Sequence, residues 1–140
     1  MLAEDRLTGL FISDGFHLPQ DMLRVCLRAK GPSRFAVTSD LSPVAGEPPG
    51  EYSFHGVDVV LEKNRHLHCR GVHQLAGSAS EMIDCMNVMA SLGELDESAL
   101  RQIGFDTPLG LLRIPCDLDR LPRSPGVHFD GVQFSLSSGA

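Results

Sequence analysis

One residue that could carry chemistry, Asp40, follows a short apolar segment of the chain. Asp40 comes just after the segment 35–38, and residues 41–50 then contain two glycines and three prolines. An aspartate at the end of a strand can act as a general acid or base. It can equally bond backbone amides just downstream, as an Asx turn or a helix N-cap. The spacing alone favours the structural role for Asp40.

Three histidines are also candidates for a functional role. His17 closes the segment Ser13-Asp14-Gly15-Phe16-His17, and a histidine hydrogen-bonded just before a helix is the simplest structural interpretation of it. His66 and His68 form an HxH pattern, which places both side chains on one face of a strand. We predict that this pair lies on a surface or half-buried strand, and a fortuitous zinc site is the alternative.

The elements around these residues form a strand, helix, strand unit. Residues 7–13 are β-leaning, residues 19–30 repeat apolar side chains at helical spacing, and residues 35–38 form a short apolar strand. This order favours a parallel pair of strands with a crossover helix. In such a fold the chemistry lies at the carboxyl ends of the strands, where both polar segments occur.

The rest of the chain alternates between β and helical patterns. An antiparallel β excursion is predicted at about 51–70, as a strand pair that turns at His55-Gly56 and a further strand at 66–70. The segment Ser78-Ala79-Ser80-Glu81 fits a capping box for a helix that ends at Gly93. Further helices are predicted from about Asp96 to Ile103 and from Thr107 to Leu112, and short strands around His128-Phe129 and Val132–Leu136.

The composition restricts the class of protein. With 140 residues, 42% hydrophobic and 21% charged, the chain is expected to fold as one globular unit. Its net charge is −6 and it has no Lys/Arg cluster, which argues against a nucleic-acid or anionic-membrane partner. The N-terminus resembles neither a signal nor a transit peptide, and no apolar segment approaches the roughly 20 residues of a membrane span. We therefore expect a cytoplasmic protein.

Several segments together resemble a known family. The motifs LAEDRLTGLFISDGFHLP, LRAKG, VTSDLSPVAG-x-PPG, LAGS-x-x-x-M and TPLGLL, spread over residues 2–112, are similar to the C-terminal part of the amidohydrolase superfamily. The resemblance is greatest to N-acetylglucosamine-6-phosphate deacetylases. It implies an α/β fold, the C-terminal fragment of a (β/α)8 TIM-type barrel. Residues 1–112 would supply the last two strand/helix units with a β-hairpin insertion, and 113–140 a short β tail, with a β-sandwich as one setting for it.

The resemblance also implies roles for individual residues. Asp40 matches the family's general acid/base at the end of the eighth barrel strand, and His17 matches the histidine of a DG-x-H motif that contacts substrate. The segment Leu75, Ala76, Gly77 matches a loop that borders the substrate pocket. The complete family enzyme uses a divalent metal, zinc or similar, held by residues on earlier strands that have no counterpart in this sequence. We therefore expect no metal to be bound by this chain alone.

Two functions follow from this resemblance. The first is part of a metal-dependent hydrolase that deacetylates an N-acetylated amino sugar or its phosphate, inactive without its metal ligands. The second is a non-catalytic amidohydrolase remnant that serves as an oligomerising or interaction module. Two isolated barrel strands leave their edges unpaired, so we expect either a homo-oligomer or docking to a complementary N-terminal half.

Overall fold

The protein is a mixed α/β structure with a short parallel sheet and two antiparallel ones. A computed structural model describes residues 1–72, 74–115 and 126–137. Its strands are β1 (Gly9–Ile12), β2 (Phe35–Thr38), β3 (Gly50–Phe54), β4 (Val57–Leu61), β5 (Leu67–Cys69), β6 (Val127–Phe129) and β7 (Phe134–Leu136). Its α-helices are α1 (Gln20–Lys30), α2 (Met82–Ser91), α3 (Glu97–Arg101) and α4 (Thr107–Leu112). None of the helices in these described ranges is both long and apolar enough to cross a membrane.

Strands β1 and β2 pair in parallel, which confirms the predicted strand, helix, strand unit. Gly9 pairs with Phe35 at one end and Ile12 with Thr38 at the other. Helix α1 crosses between them and ends at Gly31, whose φ of 64° lies in the left-handed region. Because the strands are parallel and in register, their carboxyl ends lie at the same edge of the sheet.

Two separate hydrophobic cores support the chain. The larger one, called the main core below, joins β1, β2, α1, α2, α3 and the π-helical turn after α3. Its buried members are Phe11, Leu23, Cys26, Leu27, Phe35, Val37, Cys85, Met86, Met89, Leu92, Leu100 and Ile103. The other, called the small core below, consists of Val44, Val59, Leu61, Leu67 and Ala79. The small core holds the predicted β excursion together.

The excursion forms a three-stranded antiparallel sheet in the order β3, β4, β5. The β3–β4 hairpin turns at His55 and Gly56, as predicted, with φ of 50° and 77°. Left-handed conformations at both central residues match the twist of a two-residue hairpin. Strand β5 is shorter than the predicted 66–70 and pairs with β4 only from Leu67 to Cys69.

The start of α2 differs from the prediction. The capping box is formed by Glu81 and Asp84, not by Ser78, and the helix begins at Met82. The physical reason is a tertiary contact: the backbone of Ser78 pairs with Leu41 and accepts a 2.8 Å hydrogen bond from the Ser42 amide. This pairing keeps Ser78 extended and outside the helix.

The C-terminal part of the described chain packs on α2. The predicted helix 96–103 is α3 followed by a π-helical turn over Gln102–Asp106, which runs directly into α4. The β6–β7 hairpin appears where short strands were predicted, and Asn87 on α2 anchors it through two hydrogen bonds with the Phe134 backbone, at 3.1 and 2.6 Å. The remainder of the predicted tail, residues 116–125 and 138–140, lies outside the described residues.

Candidate functional site

The polar residues that follow β1 and β2 lie at the same edge of the parallel sheet. Ile12 pairs with Thr38, so Asp14 and Asp40 each come two residues after a paired position. Ser13 is fully buried and its hydroxyl donates to the Cys85 carbonyl of α2 at 3.0 Å. This contact attaches the end of β1 to the main core and so holds the first residue of the loop 13–18 in place.

Asp14 organises the loop that follows β1. Its side chain is only 2% exposed, and Oδ1 accepts hydrogen bonds from the amides of Phe16 and His17, both at 2.9 Å. Oδ2 lies 2.8 Å from Nδ1 of His17. Burial of the carboxyl would raise its pKa, but the two amide hydrogen bonds and the imidazole outweigh burial, and the pKa of Asp14 is lowered.

The contact with Asp14 fixes the orientation of His17. A carboxylate facing Nδ1 requires this nitrogen to donate, which leaves Nε2 as an acceptor in the neutral ring or as a donor in the imidazolium. The ring is 21% exposed, and Nε2 has no hydrogen-bond partner among the described residues. His17 is thus hydrogen-bonded just before α1, as its simplest interpretation predicts, while one nitrogen stays available to a ligand.

Asp40 has an exposed carboxylate at the end of β2. Its φ is 46°, and its amide donates to the Thr38 hydroxyl at 3.3 Å. Within the described ranges, no donor lies within hydrogen-bonding distance of its carboxylate. The next regular element after Asp40 is strand β3, so no helix begins directly after this residue. The structure therefore forms neither the Asx turn nor the N-cap that the spacing favoured. A carboxylate without such a bond is free to exchange a proton with a ligand.

The loop 75–78 lies directly beside the Asp40 segment, residues 39–42. The Ser42 amide bonds to the Ser78 carbonyl, and Gly77 has a φ of 103°. A Cβ on Gly77 would lie 3.4 Å from Cβ of Ser42, so the two segments are in close contact. Leu75 forms a bridge with His68, and the Ala76 amide donates to the Leu67 carbonyl at 3.1 Å. The structure thus places Gly77 against Ser42, two residues after Asp40, while Leu75 and Ala76 pair with β5.

Both histidines of the HxH pair are half-buried, as predicted, with His68 in β5 and His66 one residue before it. His68 has both ring nitrogens in contacts, at 3.1 Å from the Cys69 carbonyl and at 3.2 Å from Oε1 of Glu62. These two acceptors, the carbonyl first and the carboxylate second, raise the pKa of His68. Across residues 1–72, 74–115 and 126–137 there is no group of three or more His, Cys, Asp or Glu side chains able to hold a metal ion.

Two features of the site were not predicted from the sequence. The first is the set of hydrogen bonds between the Asp14 side chain and residues 16 and 17, called the Asp14 clamp below. It has a local signal in the sequence, because an aspartate often bonds the amides two and three residues later. The second feature is a stack of the Phe16 ring on His66, with centroids 4.8 Å apart and planes at 25°. Phe16 and His66 are far apart in sequence, so no local pattern could have predicted this contact.

Comparisons with known proteins identify this arrangement of elements. No protein-family model matches the sequence, and no curated protein matches it either. Among solved structures, a mutant N-acetyl-D-glucosamine-6-phosphate deacetylase from Mycobacterium smegmatis, in complex with N-acetyl-D-glucosamine-6-phosphate, gives a TM-score of 0.75 at 20% identity. The match covers 82% of this chain and 31% of the enzyme.

Two further solved structures give the same result. N-acetylglucosamine-6-phosphate deacetylase from Thermotoga maritima gives a TM-score of 0.73 at 18% identity, with 81% of this chain and 31% of the enzyme covered. The Pasteurella multocida enzyme gives 0.72 at 18% identity, with 81% and 29% covered. The chain therefore has the fold of part of these deacetylases, which confirms the structural resemblance, and it spans about a third of their length.

Proposed function

We propose that this chain is the acid/base-bearing part of a metal-dependent deacetylase that acts on an N-acetylated amino sugar or its phosphate. In this proposal β1 and β2 are the last two strands of an eight-stranded barrel, and the β3–β5 sheet is an insertion after the second of them. The observation that carries the proposal is the exposed Asp40 carboxylate at a strand end, within a fold shared with deacetylases over 82% of the chain.

Asp40 would move the proton in this reaction. A carboxylate without a hydrogen-bond partner among the described residues can take a proton from the attacking water and return it to the departing amine. The rigid pairing of β2 with β1 holds it at the sheet edge. Asp40 is therefore proposed as the general acid/base.

His17 and the loop 75–77 would bind the substrate. The Asp14 carboxylate orients the His17 ring, so its Nε2 can donate to or accept from a sugar hydroxyl or a phosphate oxygen. Gly77 lies against the Asp40 segment, where its backbone can approach a ligand closely. His17 and the loop 75–77 would thus contact the same bound sugar.

The metal implied by the deacetylase fold does not fit the described residues, which provide no group of three ligands. In this proposal the metal ligands come from other residues of the complete enzyme. The 140-residue chain is then expected to release no acetate by itself.

The test is to reconstitute activity with the missing part. The chain would be co-expressed with the segment of the Thermotoga maritima deacetylase that precedes the matched part, and acetate release from N-acetylglucosamine 6-phosphate would be measured. Asp40→Asn should lower kcat by roughly 10²- to 10⁴-fold in the reconstituted enzyme.

The matched control is Asp58→Asn, because Asp58 is an exposed carboxylate on β4. This control should leave acetate release unchanged. An Asp40→Asn enzyme as active as wild type would remove Asp40 from the mechanism. Acetate release by the chain alone, abolished by Asp40→Asn, would show that the chain builds its own metal site.

A second candidate function is a non-catalytic interaction module, and one observation favours it. The parallel sheet has only two strands among the described residues, and apolar side chains of β1, α1 and α4, called the flank residues below, are exposed. Leu10 of β1 is 62% exposed, and Met22 and Val25 of α1 are exposed as well. Leu111, Leu112 and Ile114 at the end of α4 are also exposed. Such residues invite pairing with further strands and helices.

We propose that in this second function the flank residues dock a second copy of the chain. The flank residues at β1 and at α4 lie on one chain, so a head-to-tail contact between copies would cover both. Light scattering of the purified chain should then give a mass above that of a monomer, and Leu10→Glu with Val25→Glu should lower it. A monomer at all concentrations tested would contradict this function and leave the deacetylase proposal intact.

A further inference from the structure

Strand β5 contacts both parts of the site that are proposed to bind substrate. On one side, Leu75 bridges to His68 and the Ala76 amide donates to the Leu67 carbonyl. On the other side, the Phe16 ring stacks on His66, one residue before the strand. The loop 75–77 and the loop after β1 are therefore attached to the same short segment of chain.

The His66 ring has a well-defined position. Its own amide donates to Oδ1 of Asn64 at 3.1 Å, and its carbonyl accepts from the Glu62 amide at 2.9 Å. The His68 ring packs against it with centroids 4.9 Å apart and is itself bonded to Glu62 and the Cys69 carbonyl. His66 thus has a hydrogen-bonded backbone, and its ring contacts the rings of both Phe16 and His68.

Phe16 connects His66 with His17. Phe16 and His17 are adjacent, and Oδ1 of Asp14 accepts from the amides of both, so the stacked ring of Phe16 is attached to the same hydrogen-bonded turn that carries the His17 ring. Phe16 and His66 are both half-buried, which means that each covers part of the other from water. Offset stacking of two such rings favours one separation over others.

We propose that His66 is a positioning residue, whose ring holds Phe16 and thereby sets His17 at a fixed distance from the loop 75–77 for one bound sugar. The inference rests on the proposed function, since it concerns how the two substrate contacts are kept in register. His66 itself touches no substrate in this proposal and takes no part in proton transfer.

The test compares His66→Ala with His66→Phe in the 140-residue chain. Hydrogen exchange at the Phe16 and His17 amides, followed by NMR, should be roughly two- to tenfold faster in His66→Ala, as expected for loss of one aromatic pair. His66→Phe keeps a flat ring and should restore slow exchange. His128→Ala, which removes an exposed histidine on β6, should change nothing. Exchange at Val59 and Leu61 shows whether the β3–β5 sheet remains folded.

Two results would overturn the proposal. Unchanged exchange at Phe16 and His17 in His66→Ala would show that the stack holds nothing, and exchange in His66→Phe as fast as in His66→Ala would show that a ring is not what matters. If His66→Ala unfolds the sheet, Phe16→Ala provides the same comparison from the other partner of the stack, with Phe16→Tyr as the variant that keeps a ring.

A second measurement connects the stack to substrate. Each variant is reconstituted with the missing deacetylase segment as above and carries Asp40→Asn to prevent turnover. Titration with N-acetylglucosamine 6-phosphate should show a Kd for His66→Ala raised by the same two- to tenfold, with His66→Phe close to the protein that keeps His66. An unchanged Kd despite faster exchange would contradict the positioning role. A reconstituted protein with His66 intact that shows no binding at all would count against the proposed function, while the exchange experiment on the chain would still decide whether His66 holds the loop.

Discussion

The two cores of the molecule differ in size and in what they hold. The main core buries twelve residues from two strands and several helices, whereas the small core buries five residues around the β3–β5 sheet. On the main-core side, the buried Ser13 bonds to α2, and the buried Asp14 that follows it bonds to His17. The small core holds the loop 75–78, and the Asp40 segment lies between the two.

This difference shows how the candidate site is assembled. The parallel unit is a packed scaffold on which Asp14 can be buried and charged, while the β3–β5 sheet reaches the site through a few specific contacts. These are the Ser42 to Ser78 hydrogen bond and the ring stack of Phe16 on His66. Damage to the main core should therefore affect the whole chain, and damage to the small core should affect mainly the excursion.

The largest effect is expected from the main core. Phe35 is fully buried and stacks on Phe11 at 4.3 Å, so Phe35→Ala should lower the free energy of unfolding by roughly 3 to 5 kcal/mol. Urea unfolding followed by circular dichroism measures this change. Leu10→Ala, at a position 62% exposed, should cost less than about 0.5 kcal/mol. Equal losses in the two variants would contradict the assignment of the main core.

A smaller and more local effect is expected from the small core. Leu67 is 1% exposed, and Leu67→Ala should cost roughly 2 to 5 kcal/mol in the stability of the β3–β5 sheet. Hydrogen exchange should accelerate in β3, β4 and β5 before it does in β1, β2 and α1. Uniform acceleration over the whole chain would show that the two cores unfold as one unit and that the comparison does not hold.

The Asp14 clamp should produce a pH dependence on the main-core side. Because its pKa is lowered in the folded state, the stability it contributes is present above the unfolded pKa of about 3.9. It is lost as the pH falls through the lower pKa of the folded chain. Asp14→Asn should therefore weaken the acid dependence of the urea midpoint, in addition to a loss of roughly 1 to 3 kcal/mol at pH 7. An identical acid dependence in both proteins would contradict this role.

The smallest effect concerns the β3–β5 sheet and has the opposite sign with pH. The Cys69 carbonyl and then Glu62 raise the pKa of His68, so the stability from these contacts is present below the unfolded pKa of about 6.5. It disappears as the pH rises through the higher folded value. Glu62→Gln should lower the pKa of His68 in an NMR titration, and Glu51→Gln, at an exposed residue of β3, should leave it unchanged.

Local patterns in the sequence predicted much of the fold but only part of the site. The helix at 20–30, the strand at 35–38 and the hairpin turn at His55-Gly56 follow from periodicity and turn chemistry, and the structure confirms them. The capping box at Ser78 was wrong, because a backbone pairing with Leu41 overrides the local signal. The proposed roles of Asp40, His17 and the loop 75–77 remain predictions.

The parallel unit and the position of Asp40 at the end of its second strand follow from the amino-acid sequence, because short-range periodicity and chain connectivity specify both. Tertiary packing decided that no donor among the described residues binds the Asp40 carboxylate, that Asp14 holds the His17 ring, and that the loop 75–78 lies beside residues 39–42. It also decided that Phe16 stacks on His66. The contacts of the loop 75–78 and of the Phe16 ring join residues distant in sequence, and they form only where two separately packed cores bring their surfaces together.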